Sequence, residues 1–247
     1  MGGQLSEEGK QMDQAFVRQE MLLGADAMAR LRNAHVAVFG IGGVGSYSCE
    51  ALARAGIGRL TLIDCDTVSE SNLNRQLCAL RSTIGQPKAE VMAARIRDIN
   101  PDCQVTAIVG MYTDMDKERF FADYDYIVDA IDLVSCKLSL IETALQRGIP
   151  IISAMGTGNK VDPSQFRIED ISKTQFCPLA RIVRHELRAR GILHHTVLWS
   201  PEPARTPVSD EAPPPGRRAI PGSLSWVPSA AGLMLAGHVV MALAEKS

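Results

Sequence analysis

The sequence predicts an α/β fold with a doubly wound, mainly parallel sheet and a C-terminal extension of strands, a basic helix and an apolar helix. Three observations support this class. A short apolar strand at residues 35–39 runs into a glycine-rich turn. Strand-like and helix-like segments alternate up to residue 154, as parallel sheets with helical crossovers require. The second strand ends at the acidic residue Asp64. Together these features indicate a Rossmann-like arrangement.

The first 155 residues predict a helix followed by five strands with crossover helices between them. Residues 1–12 are polar and are expected to form a disordered leader, and residues 13–32 are expected to be helical. Apolar runs bounded by turn residues predict strands at 35–39, 59–63, 104–109, 126–130 and 149–154. Helical periodicity and stop signals predict helices at 47–55, 88–99, 116–121 and 138–147.

The chain changes in character after residue 155. Here the sequence predicts a strand at 166–168, a basic helix at 178–191 and a strand at 195–199. Residues 201–222 contain seven of the chain's thirteen prolines, which predicts a long mobile loop.

Length and composition fit one globular domain. Apolar residues make up 46% of the 247 residues, and the net charge is −2, so bulk charge neither requires nor excludes a nucleic-acid partner. The six cysteines are scattered and form no CxxC pair, which argues against a disulfide framework or a zinc site and favours a cytoplasmic protein. We expect a single domain over 13–247, with a nucleotide-binding half at 13–155 and a substrate-binding half at 156–247.

The apolar segment at residues 224–244 allows two interpretations. Its length is close to the roughly 20 residues that span a bilayer. The favoured interpretation is a buried core helix that begins near Pro228. Peripheral or inserted membrane contact is the alternative.

The glycine-rich turn predicts a nucleotide site. Gly40, Gly42, Gly43 and Gly45 allow a tight turn and a close approach of backbone to phosphate, just before a helix whose N–H groups would face the anion. Asp64 follows by roughly 20 residues, where a ribose-binding carboxylate belongs. This pattern alone favours a dinucleotide-dependent oxidoreductase, and a non-catalytic nucleotide-binding scaffold is a further alternative.

Four polar residues beyond the acidic strand favour a different chemistry. A substrate carboxylate that attacks the α-phosphate of ATP releases pyrophosphate, so cations must stabilise the redistributed negative charge. Arg75 offers a planar fork for phosphate and Lys88 a mobile point charge. Asp132 could hold Mg²⁺ near the pyrophosphate, and Asn72 could orient an oxygen.

These residues carry a family resemblance. The chain resembles the ubiquitin-activating superfamily, which includes the molybdopterin-synthase and thiamine-biosynthesis (ThiF-type) adenylyltransferases. The resemblance implies that Asp64 binds the ribose of ATP and that Asp132 binds Mg²⁺. It further implies a homodimer in which Arg18 reaches the nucleotide of the other subunit. The matching pieces occur in family order: Arg18-Gln19, the glycine turn, Asp64, Asn72, Arg75-Gln76, Lys88 and Asp132.

The second half narrows the resemblance to the tRNA threonylcarbamoyladenosine dehydratase family. Three blocks carry it: residues 155–163, 173–184 and 217–223. The implied activity is ATP-dependent activation of the threonyl carboxylate, followed by cyclisation with release of AMP and pyrophosphate. Activation of a sulfur-carrier or ubiquitin-like protein is the alternative, with a sulfur-transfer protein as a partner. The absence of paired CxxC motifs speaks against it.

A local basic surface is expected to bind tRNA, because the overall charge cannot attract it. Cys177, at the start of the basic helix, is either a reactive thiol or a small buried residue. The expected phosphate contacts come from the basic helix, the residue just before it and the proline-rich loop: Lys173, Arg181, Arg184, Arg188, Arg217 and Arg218.

Overall fold

The computed structural model describes residues 14–208 and 221–245 and contains a seven-stranded sheet. In chain order the strands are β1 (His35–Phe39), β2 (Arg59–Asp64), β3 (Gln104–Val109), β4 (Tyr126–Asp129), β5 (Ile151–Ala154), β6 (Arg167–Asp170) and β7 (Thr196–Trp199). Their spatial order is β3-β2-β1-β4-β5-β7-β6. All neighbours pair in parallel except β6 and β7, which are antiparallel. The predicted fold class is confirmed.

The described residues form seven α-helices, six of which contribute buried residues to the two faces of this sheet. They are α1 (Val17–Leu23), α2 (Ala25–Asn33), α3 (Gly45–Arg54), α4 (Lys88–Ile99), α5 (Val134–Gln146), α6 (Pro178–Ala189) and α7 (Trp226–Ala244). Helices α2, α3, α4 and α7 contribute to one apolar cluster, and α5 and α6 contribute to the other. The central strand β1 is therefore apolar on both faces, as parallel strands between helical layers are.

The structure corrects several predicted elements. The helix expected at 13–32 is two helices, because Gly24 adopts a left-handed φ of +82° between them. Helix α5 begins at Val134 rather than 138, and the helix expected at 116–121 is a short 3₁₀ segment. The leader at 1–12 and residues 209–220 of the proline-rich loop lie outside the described residues.

The strand order places a crevice at one edge of the sheet. From β1 the chain moves outward to β2 and β3 on one side, and β4 lies on the other side. The loops that follow β1 and β4 therefore diverge to opposite faces, and ligands of open α/β sheets bind at such a switch point. The glycine turn follows β1 at this edge.

Helix α7 packs on α3, the helix that follows the glycine turn. Among the described helices it alone has the length and hydropathy to cross a membrane, a test that buried core helices also pass. Ten of its residues are buried, and they recur at helical spacing along one side. At Gly232 the two helices approach so closely that a Cβ would overlap the Val44 carbonyl oxygen and lie 2.9 Å from the Cβ of Tyr47. Ser48 Oγ donates to the Gly232 carbonyl oxygen at 2.9 Å.

The contact at Gly232 should be sensitive to one added methyl group. Gly232→Ala is expected to lower the free energy of unfolding by roughly 1–3 kcal/mol, because backbone atoms would have to move. Gly237→Ala is the matched control on the same helix, where a Cβ meets no described atom within 4 Å. The control should be neutral or stabilising by up to about 1 kcal/mol. Equal stabilities of both variants in urea unfolding would contradict this packing.

Candidate nucleotide site

The glycine turn lies directly against the loop that follows β4. Gly40 has φ +88°, and a Cβ there would lie 2.7 Å from the Ala130 carbonyl oxygen. A Cβ on Gly45 would overlap the carbonyl oxygen of Gly40. Only glycine fits these two positions. Because α3 begins at Gly45, its N-terminus lies at this crevice, where the helix dipole favours an anion.

The other two predicted glycines, Gly42 and Gly43, lie close to residues outside the turn. A Cβ on Gly43 would lie 3.1 Å from Pro228 and 3.5 Å from the Arg75 carbonyl oxygen. A Cβ on Gly42 would lie 3.9 Å from the side-chain nitrogen of Gln76. The glycine turn therefore touches both halves of the chain.

Asp64 stabilises the glycine turn through hydrogen bonds to its carboxylate. Its Oδ2 accepts a hydrogen bond from the backbone N–H of Ile41 at 2.5 Å, and its Oδ1 accepts one from the N–H of Asp66 at 2.7 Å. Burial raises the pKa of Asp64, although these hydrogen bonds favour its charged form. The carboxylate lies at the carboxyl end of β2, beside the glycine turn, as a ribose ligand would require.

The two predicted phosphate-binding cations lie near this turn in different environments. Lys88 begins α4 and is 5% exposed, with its Nζ 2.8 Å from Asp66 Oδ2. Arg75 is partly exposed, and its Nη1 donates to the Ser71 carbonyl oxygen at 2.7 Å and to Asn74 Oδ1 at 2.9 Å. Lys88 is thus held by a carboxylate, whereas Arg75 is held by neutral oxygens.

Asn72 shapes the loop that presents Arg75. Its side chain is buried, and its Oδ1 accepts from the Ser69 N–H at 3.1 Å. Its carbonyl oxygen accepts from the N–H of Arg75 at 3.0 Å. Three further residues contact the predicted ones, although the sequence does not predict them as site residues: Asp66, Asn74 and Gln76. Only the contact with Lys88 distinguishes Asp66 from an ordinary turn residue, because acidic residues are common in turns after strands.

Asp132 lies close to the glycine turn, whereas Arg18 lies far from it. Asp132 is exposed and lies two residues beyond Ala130, whose carbonyl oxygen faces Gly40. Arg18 is exposed on α1 and forms no hydrogen bond or ion pair with another described residue. Its neighbour Gln19 donates to the Ala55 carbonyl oxygen at 2.7 Å, at the end of α3 remote from the glycine turn. The fold therefore does not bring Arg18 to the site of its own chain.

A buried ion pair beneath the β4 loop was not anticipated from the sequence. Lys137 Nζ lies 2.6 Å from Asp129 Oδ2, and both side chains are fully buried. Asp129 Oδ1 also accepts from the N–H of Ile131 at 3.0 Å, within the loop that leads to Asp132. The pair anchors this loop from inside the protein. The position of Lys137 in the sequence does not distinguish this buried lysine from a solvent-exposed lysine on α5.

A neutral histidine lies beside this ion pair. Burial, together with the charge of the Lys137 ammonium, lowers the pKa of His195 to about 3. His195 Nε2 is 2.8 Å from Ser153 Oγ. The imidazole is therefore uncharged at neutral pH and cannot serve as a cation for phosphate.

Four of the six predicted tRNA-binding residues lie on α6 or in the turn just before it. Lys173, Arg181 and Arg188 are exposed and have no hydrogen-bonding or ionic partner among the described residues. Arg184 is half-buried, and its Nη1 donates to the Thr174 carbonyl oxygen at 2.8 Å and also contacts the Thr174 hydroxyl. The last two, Arg217 and Arg218, lie outside the described residues.

Removal of the buried lysine should destabilise the protein strongly. Lys137→Met leaves the Asp129 carboxylate unpaired and buried, which is expected to cost about 3–5 kcal/mol of unfolding free energy. The double variant Asp129→Asn/Lys137→Met should recover most of this loss, because no uncompensated charge remains. Lys117→Met breaks an exposed ion pair with Asp114 and should have little effect. Thermal and urea unfolding measure all three, and a double variant no more stable than Lys137→Met would contradict the assignment.

Comparison with known proteins places this geometry in a family. The model of the ThiF family matches residues 16–247. A tRNA threonylcarbamoyladenosine dehydratase of Bacillus subtilis is 48% identical over 239 residues, which covers 92% of this chain and 94% of that protein. The Escherichia coli tRNA N6-threonylcarbamoyladenosine dehydratase, TcdA, solved in complex with ATP, superposes with a TM-score of 0.84 at 37% identity, covering 93% of each chain.

A second branch of relatives is less similar. The molybdopterin-synthase adenylyltransferase of Escherichia coli is 33% identical over 157 residues, or 63% of each chain. The resemblance to the dehydratases that the sequence predicts is thus confirmed across nearly the whole chain. On the family match and on the arrangement of glycine turn, acidic strand end and cations, this chain belongs to the ThiF family.

Proposed function

We propose that the protein uses ATP to activate the carboxylate of threonylcarbamoyladenosine in tRNA and then closes it to the cyclic form. The observation that carries this proposal is the gathering of Arg75, Lys88 and Asp64 around the glycine turn, in a chain 48% identical to a dehydratase of this kind. The substrate carboxylate attacks the α-phosphate, and pyrophosphate leaves. The neighbouring carbamoyl group then attacks the activated carbonyl carbon, and AMP leaves with the carboxylate oxygen.

The roles of the site residues follow from their environments. The N–H groups at the start of α3 and the Arg75 guanidinium face the developing negative charge on the phosphates. Lys88 supplies a second cation. Asp64 sits at the strand end where a ribose hydroxyl would bind. Because the adenylate and its reactive carbonyl would be hydrolysed by water, the substrate must cover the site during cyclisation.

Magnesium is the expected metal of this reaction, and Asp132 is its proposed protein ligand. One exposed carboxylate is a suitable donor, because Mg²⁺ is commonly bound through one or two carboxylates together with substrate phosphates and water. The ion would neutralise charge on the pyrophosphate. The loop that carries Asp132 is anchored where it leaves β4, because Asp129 pairs with Lys137 and accepts a hydrogen bond from the N–H of Ile131.

We further propose a homodimer with a shared site and a cytoplasmic location. Arg18 is exposed and lies far from its own glycine turn, which supports contact with the partner's nucleotide. The six cysteines are all free thiols, in accord with a reducing compartment. Cys177 is 4% exposed at the start of α6, a burial that does not favour sulfur transfer to a partner protein.

The test of the activity is mass spectrometry of tRNA nucleosides. Full-length protein with ATP, Mg²⁺ and tRNA carrying threonylcarbamoyladenosine should yield the nucleoside that has lost one water. Arg75→Ala should lower the rate about a hundredfold, equivalent to roughly 3 kcal/mol, because a charge partner of the transition state is lost. Arg59→Ala, at the opposite end of β2, is the matched control and should retain activity. An Arg75→Ala rate within threefold of wild type would contradict the role assigned to this residue.

The tRNA surface is proposed on the start and outer side of α6. Arg181 lines a cavity of about 300 Å³ with Phe176, a residue that is 73% exposed and has a left-handed backbone conformation. Exposed arginine beside an exposed aromatic ring suits phosphate contact and base stacking. Arg184 is committed to Thr174, so Arg181 and Arg188 are the freer cations of this helix.

Replacement of these two arginines should weaken tRNA binding without affecting ATP. Arg181→Ala/Arg188→Ala is expected to raise the KM for tRNA about tenfold at low salt and to reduce the salt slope by about one unit per lost contact. Calorimetry should give unchanged ATP affinity. Arg97→Ala, on helix α4 of the other face, is the control. A double variant that loses ATP affinity and keeps normal tRNA binding would place the RNA surface elsewhere.

A further inference from the structure

A segment of the second half crosses the edge of the sheet that carries the nucleotide site. We call residues 221–225 the strap. At its start, Pro221 lies 3.1 Å from the position of a Cβ on Gly158, just after β5. Beyond its end, Pro228 lies 3.1 Å from the position of a Cβ on Gly43, after β1. Because β4 lies between β1 and β5, the strap passes the carboxyl end of β4, where the loop to Asp132 begins.

Two asparagines tether the strap by its backbone. Asn159 exchanges two hydrogen bonds with Gly222: its N–H donates to the Gly222 carbonyl oxygen at 2.8 Å, and its Oδ1 accepts from the Gly222 N–H at 2.6 Å. Asn159 has φ +60°, a conformation that asparagine tolerates better than most residues. On the other side, Asn74 Nδ2 donates to the Ser223 carbonyl oxygen at 3.0 Å.

Asn74 also holds the arginine of the site. Its Oδ1 accepts from Arg75 Nη1 at 2.9 Å, while its Nδ2 binds the strap. One planar amide therefore connects the guanidinium to a backbone carbonyl of the second half. A movement of the strap that turns this amide must change the hydrogen bond to Arg75, and a movement of Arg75 must affect the strap.

We propose that Asn74 is a positioning residue that couples the strap to Arg75, so that engagement of the second half by tRNA and binding of ATP favour each other. This inference rests on the proposed function. Coupling between two ligands is reciprocal, so ATP alone should already restrain the strap. That consequence can be measured without tRNA and without catalysis.

Trp226 reports on the strap. It follows the strap directly, is 51% exposed, and donates its indole N–H to the Val161 carbonyl oxygen at 2.9 Å. The chain has two tryptophans, and the other, Trp199, is buried. Acrylamide quenching of fluorescence in the full-length protein therefore senses Trp226, and Trp226→Phe identifies its contribution.

The experiment compares quenching with and without ATP and Mg²⁺. In wild type, ATP should lower the quenching constant of Trp226. Asn74→Ala should bind ATP with an affinity within about threefold of wild type but lose this protection. Asn159→Gly keeps the backbone conformation and leaves Asn74 in place, so it should raise quenching in the absence of ATP and retain the response. With tRNA substrate bound, Asn74→Ala should bind ATP about fivefold more weakly than wild type does, because the coupling between the two ligands is lost.

The outcomes separate this inference from the proposed function. Calorimetry that detects no ATP binding to wild type would refute the proposed function. ATP that binds without protecting Trp226, or an Asn74→Ala protein that keeps full protection, would overturn the coupling.

Discussion

The site depends on a steric constraint, the contact of the glycine turn with the loop after β4. Strands β1 and β4 are parallel neighbours, so their carboxyl ends lie side by side, and because the strand order reverses between them their loops leave to opposite faces. The Ala130 N–H donates to the Phe39 carbonyl oxygen at 2.8 Å, which continues the pairing up to the turn. At that point a Cβ on Gly40 would push the Ala130 loop away. The constraint thus fixes two loops at once, the glycine turn and the loop that carries Asp132.

The second half is part of this site rather than an appendage to it. Gly232 of α7 contacts the backbone at Val44, and the Ser48 hydroxyl on α3 donates to the Gly232 carbonyl oxygen. Helix α7 therefore packs against α3, the helix that follows the glycine turn. Its apolar composition reflects burial against α3 and α2, which gives the helix a structural role independent of any membrane.

Most of the fold can be predicted from the sequence, because the signals for strands, helices and turns are local. Periodicity, glycine and proline mark the strands and crossover helices, and alternation along the chain implies the parallel sheet. The predicted helix boundaries are wrong where the backbone conformation of a single residue ends a helix, as Gly24 does between α1 and α2. The antiparallel pairing of β6 with β7 depends on contacts between distant residues, which a single sequence does not display.

The candidate site could be predicted only in part for the same reason. Gly40, Asp64, Arg75 and Lys88 belong to motifs, so their places follow from order along the chain. The partners of these residues do not. Lys137 reaches Asp129 from the next helix, and Asn74 reaches Ser223 across 149 positions. Such pairs follow from packing, and asparagine, aspartate and lysine are too common on surfaces for their role to be read from composition.

The difference between the two cations determines which of them can respond to a nucleotide. Lys88 is buried against the Asp66 carboxylate, so a phosphate that approaches it must either displace an ion pair or share its cation. Arg75 has only neutral oxygen partners among the described residues, the Ser71 carbonyl oxygen and Asn74 Oδ1, and both accept from its Nη1. Its other N–H groups can donate to a phosphate in charge-assisted hydrogen bonds while Nη1 stays bonded to Asn74. We therefore expect a phosphate to bind Arg75 without first breaking an ion pair. A phosphate that fixes the guanidinium also restrains the Asn74 amide and, through its bond to the Ser223 carbonyl oxygen, the strap.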